Sequence, residues 1–154
     1  MELNEVLEIE PLSKALHFTL RLAQEHGADE LAKCLKLEID GYYPSNSHSI
    51  ITVPEYRAVA GANLNIFGQR LKIQPGSSSR DEMLLCHGVE ALESMRDSSQ
   101  TIVLQKPTTV GLIAQQGEAA TFHFEPVELV HVLSQIRSEL FLRAQVLAPL
   151  NRGR

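Results

Sequence analysis

The chain has 154 residues, enough for one domain with its own hydrophobic core. Its 14 basic and 19 acidic residues leave a net charge of −5, which argues against a global nucleic-acid or anionic-membrane footprint. No window approaches the ~20 apolar residues that span a bilayer, and the acidic N-terminus lacks a signal-peptide core, so a cytoplasmic protein is expected.

In chain order, residues 1–10 alternate carboxylates with Leu3, Val6, Leu7 and Ile9, and fit either a docked strand or a helical turn. Pro11 suits a helix start, where its missing N–H costs nothing. Leu12, Ala15, Leu16, Leu20 and Ala23 then recur at helical spacing, up to a stop at Gly27. A second helix is predicted from an N-cap at Asp29 to Gly41, burying Leu31, Cys34, Leu35 and then Leu37 or Ile39. So short a link between the two makes an antiparallel helical hairpin.

Tyr42 to Val53 reads as a turn and polar loop, with Ile50 to Val53 apolar and β-branched. A strand is predicted over Tyr56 to Phe67, with Val59, Leu64 and Ile66 as its apolar positions and a bulge or bend at Gly61. Gly68-Gln69 supplies a tight turn into a return strand, Arg70 to Gln74. Ser79 and Glu82 form a capping-box pattern, which predicts a helix carrying Leu85, Val89, Leu92 and Met95. Thr101 to Leu104 reads as a short buried strand and Ala119 to Phe124 as another, while residues 107–118 fit strand or loop equally. A helix of more than twenty residues is predicted from Glu125-Pro126 to Pro149. Its stripe is Leu129, Leu133, Ile136, Leu140 and Leu147, widened by Val130, Phe141 and Ala144. The expectation is one α+β domain over 1–154: an N-terminal helical hairpin, a small antiparallel sheet and a long C-terminal amphipathic helix. Residues 1–10 and 149–154 are expected to be flexible ends.

No catalytic set emerges. The six histidines lack the i, i+4 pairing of a helical metal site, and Cys86-His87, if helical, point to different faces. Cys34 and Cys86 lack metal-type spacing and read as free thiols of a reducing compartment. The serines at 77–79 precede the predicted helix start without a phosphate loop, and no G-x-S-x-G or G-x-G-x-x-G occurs. No metal, cofactor or catalytic residue is therefore assigned.

The residues that stand out are Tyr42, Tyr43, His48, Tyr56 and Arg57, which gather all three tyrosines around one arginine. The first reading of Arg57 is an ion pair with Glu55, Glu38 or Asp40 that locks the second helix to the strand. The other is ligand recognition, since clustered Tyr and Arg also make binding hot spots. Buried tyrosine hydroxyls need partners, and these would knit the turn together. Of the five, Tyr43 and His48 are the expected contact residues.

Leu37-Glu38-Ile39-Asp40-Gly41-Tyr42, then Pro44, then Pro54-Glu55-Tyr56-Arg57 resemble the AbiTii domain family. Val132-Leu133-Ser134-Gln135-Ile136-Arg137, leading into an apolar helix, resembles that family's C-terminal part. The similarity covers about residues 8–147. It implies a prokaryotic anti-phage, abortive-infection or toxin–antitoxin setting and brings no catalytic residues with it. It also leaves open a stand-alone member or a piece of a longer effector. The function expected is a non-enzymatic interaction or oligomerisation domain, self-associating or binding a protein of the same system. The alternatives are an effector or hydrolase with a cleft near Tyr42–Arg57, and a nucleic-acid-binding regulator, which the acidic balance disfavours.

Overall fold

Three amphipathic segments separated by Pro11 and Gly27 fold as helices α1 (Leu3–Ile9), α2 (Leu12–Glu25) and α3 (Asp29–Asp40). The computed structural model describes residues 2–43, 52–71, 81–106 and 120–147. His48, Pro44, Ser79, Pro149, most of the polar loop and residues 107–118 fall outside that set. Residues 3–9 form a helix and not a strand, because Leu3, Val6 and Leu7 fall on one helical face and are buried. Arg137 fastens the end of this helix by donating to the carbonyls of Leu7 (2.5 Å) and Glu10 (2.9 Å). Pro11 and Ala28 take the N-cap positions, one residue from where the sequence placed them, and Gly41 closes α3.

The buried side of α3 differs from expectation in two respects, the first being that Cys34 is only half-buried. Leu37 and Ile39 are only half-buried, and the residue facing inward is Glu38. Leu31, Leu35, Glu38 and Tyr42 are spaced by four, three and four residues, so the carboxylate sits in the apolar stripe.

Strands β1 (Ala58–Leu64), β2 (Arg70–Leu71), β3 (Asp81–Leu84), β4 (Ile102–Gln105) and β5 (Thr121–Phe124) build an antiparallel sheet ordered β2-β1-β5-β4. β3 pairs with the first half of β1, Ala58↔Leu84 to Gly61↔Asp81, while β5 and β2 take the second half. Four sequence expectations need correction here. Tyr56 lies in a 3-10 turn, Glu55–Arg57, set up by Pro54, and the strand begins after it. Gly61 stays in register without a bulge; a side chain there would strike the His123 carbonyl and the Phe122 ring. Ile66 and Phe67 lie past the end of β1 on the exposed turn. β4 is a half-buried strand with Val103 facing outward.

The capping-box expectation fails most clearly. Glu82 lies in β3 opposite Ala60, and the helix α4 (Val89–Arg96) starts later, with Gly88 as its N-cap. Leu85, Cys86 and His87 precede α4 in non-helical backbone. Pairing with β1 gives residues 81–84 a hydrogen-bonded ladder and brings Met83 against the core, which outweighs a local start signal.

Helix α5 (Glu128–Ala144) continues into a 3-10 turn, Gln145–Leu147, and is shorter than predicted. Leu129, Leu133, Ile136, Leu140 and Ala144 are buried as read, together with Val132, whereas Val130 is exposed and does not widen the stripe. The sheet face bearing Val59, Phe122 and Phe124 joins the helices in one core. The outcome is the expected α+β architecture. Among the described residues no helix is long and apolar enough to cross a membrane.

Candidate functional site

Glu38 is the centre on which the signature residues converge. One of its oxygens, Oε1, accepts hydrogen bonds from the hydroxyls of both Tyr42 (2.5 Å) and Tyr56. The other, Oε2, accepts from Arg57 Nε (3.1 Å) and Nη2 (2.5 Å). Arg57 is fully buried and Glu38 nearly so. The remaining guanidinium edge, Nη1, donates to the carbonyls of Leu85 (3.1 Å) and His87 (2.5 Å). The guanidinium carbon lies 4.7 Å from the centre of the Tyr42 ring.

Each element contributes one part of this hub. α3 supplies Glu38 from its apolar stripe, Gly41 ends that helix, and Tyr42 follows one turn after Glu38. The 3-10 turn after Pro54 points Tyr56 and Arg57 back at the same carboxylate. The stretch between β3 and α4 brings its carbonyls, and Tyr42 N–H donates to Cys86 O at 2.7 Å. Gly41 has φ of +103°, a conformation that favours glycine, and a methyl there would lie 2.7 Å from Cys86 O.

Burial, followed by hydrogen bonding to Glu38, pushes the Tyr42 and Tyr56 hydroxyls above the ordinary phenol range, so both remain donors. The arrangement is a neutral, hydrogen-bonded buried ion pair with its lone pairs and protons matched. Of the three carboxylates within reach in sequence, Arg57 pairs with Glu38. Tyr43 stands outside the hub: it is about half-exposed and meets His87 edge-on at 6.3 Å. Tyr42, Tyr56 and Arg57 are thus brought together, Tyr43 is not, and His48 lies outside the described residues.

His87 is the titrating neighbour of the hub. Among the described residues its buried Nδ1 has no hydrogen-bond partner, and desolvation, then the Arg57 charge, hold its pKa below the usual histidine range. The unfolded chain therefore takes up this proton first. The contribution to stability is complete above pH ~6.5, the ordinary histidine value, and is lost as pH falls through it toward the lower folded value. His87→Gln is expected to flatten the fall of melting temperature between about pH 7 and 5. Melting curves identical in pH dependence to the parent would contradict this role.

Beside the hub lies a cavity of about 200 Å³ between α2, α3 and α5, which sequence reasoning missed. Its walls include Leu16, Leu35, Ile136 and Leu140, and Tyr42 and Tyr56 also line it. The other polar lining residues are Cys34, Glu38, Thr52, Glu139 and Arg143. Both Cys34 and Cys86 are free thiols. Glu38 itself had a legible signal, since a carboxylate in phase with Leu31 and Leu35 on an amphipathic helix must be paired. The cavity had none, because its lining comes from distant segments.

A family model, AbiTii, matches residues 3–142. No match was found among curated proteins or among solved structures.

Proposed function

Because the chain belongs to the AbiTii family, we propose that it serves abortive infection against phage, as a cytoplasmic interaction domain that binds a partner or itself without catalysis. The observation that supports this most is the engagement of the signature side chains with one another. Glu38, Arg57, Tyr42 and Tyr56 satisfy each other around the hub and present no poised nucleophile or base. The surface meanwhile offers apolar contact residues: Tyr43, with Leu142 in the last turn of α5 and Val146 in the 3-10 turn that follows, both more than half exposed. Exposed apolar side chains in pairs are material for association.

Light scattering over a concentration range, joined to phage-plating assays, tests the reading. The expected result is association, with the double variant Leu142→Glu/Val146→Glu losing both association and protection at an unchanged melting temperature. A strict monomer that retains no protein partner, or full protection by the double variant, overturns it. Loss of protection on substituting Arg57 alone is no sign of a binding site, because that side chain has no solvent exposure.

A further inference from the structure

We propose that the cavity beside the hub binds a small carboxylate whose apolar body is about the size of one aromatic ring, with the carboxylate held by Arg143. Size sets the first limit. A cavity of roughly 150 Å³ lined by Leu, Ile and Phe admits a benzene, and this one is about 200 Å³.

The walls set the second. Leu16, Leu35, Ile136 and Leu140 are among the most buried side chains of the protein and give an apolar slot between three helices. The single donors of Tyr42 and Tyr56 are directed at Glu38, whose two oxygens each accept two hydrogen bonds. The two tyrosines therefore offer a ligand no hydroxyl proton, and the ligand's body is apolar.

The charge comes from Arg143, which also lines the cavity. Arg143 Nη1 donates to Cys34 Sγ at 2.9 Å, and its Nε lies 3.7 Å from Glu139 Oε2. A thiol sulfur is a weak acceptor, and the Glu139 contact is longer than a charge-assisted hydrogen bond. A guanidinium has five donors in a fork suited to a carboxylate, so a ligand carboxylate replaces the thiol with a stronger acceptor. The Arg143 side chain is 43% exposed and lines the cavity, so it meets a ligand from a position that solvent also reaches. This site stands independently of the partner-binding reading.

Assigned ¹H–¹⁵N spectra of the whole chain, titrated with benzoate, benzyl alcohol and benzylamine, test it. Benzoate is expected to give saturable shifts at the cavity residues and to bind about tenfold or more tighter than the other two, the size of one charge-assisted hydrogen bond. Arg143→Gln is expected to remove that preference while leaving benzyl alcohol unchanged. No saturable shift with any probe, equal affinity for all three, a preference for the amine, or unaltered benzoate affinity in Arg143→Gln overturns the proposal.

Discussion

Arg57→Ala is expected to lower folding stability by about 3–5 kcal/mol, the cost of leaving a buried charge without its partner. The substitution strips Glu38 Oε2 of both its donors and leaves the Leu85 and His87 carbonyls without theirs. It also opens a void under the Tyr42 ring, where the guanidinium now lies. Urea unfolding at neutral pH measures the loss, with an unchanged slope confirming that the native state itself remains compact. Arg57→Lys separates charge from geometry: an ammonium keeps the charge but not the fork that serves Glu38 and two carbonyls at once. It should fall between the parent and the alanine variant. Replacing the pair together, Glu38→Leu with Arg57→Met, should recover much of the loss, since a pair removed jointly leaves no orphaned charge. A loss under about 1 kcal/mol for Arg57→Ala would mean that water reaches the hub and that the ion pair is not what joins these segments.

The hub also explains which parts of the molecule were legible in the sequence. Helices α2, α3 and α5 follow from a 3.6-residue period that needs no knowledge of the rest of the chain. Arg57 pairing with a carboxylate of α3 was readable for a similar reason, because the number of nearby partners was small. Choosing Glu38 over Asp40 needed only the phase of Leu31 and Leu35. What failed depended on distant pairing. Ser79 and Glu82 carry a proper local capping pattern, yet residues 81–84 pair with β1, some twenty positions away. Local start signals are worth about 1 kcal/mol, too little to decide against a ladder and a Met83 packed against the core. The cavity is the extreme case. Ile136, Leu140 and Arg143 share α5, but Leu16, Cys34 and Tyr56 reach the cavity from three other elements, and no window of sequence brings them together.

The signature resemblance gains a physical meaning from the same geometry. Glu38, Tyr42, Tyr56 and Arg57 are the hub, and Gly41 admits the carbonyl of Cys86. Arg137, from the C-terminal motif, holds α1 by two backbone carbonyls. Arg57 thus ties the Glu38 side chain to two carbonyls of the stretch before α4, and Arg137 ties α5 to the end of α1.

Gly88→Ala tests the assembly from the other side. Gly88 has φ of −65°, so an alanine there meets no conformational penalty, and the whole effect must come from space. Its added methyl would overlap the Ile39 carbonyl, a backbone atom that cannot turn aside as a side-chain tip does. Either α4 backs away from α3 or the end of α3 shifts. Both movements pull on the Tyr42 N–H to Cys86 O bond and on the two carbonyls that Arg57 holds. Overpacking of this kind costs about 3 kcal/mol at its upper range, which lowers the melting temperature of a domain this size by about 6–12 °C. Thermal unfolding followed by circular dichroism measures it. Gly41→Ala is the natural companion, since it adds an unfavourable positive φ to a similar clash and should be at least as costly. If Gly88→Ala melts within about 2 °C of the parent, the two segments have room to separate. The close approach of α3 and α4 would then follow from the hub and would not be a condition for it.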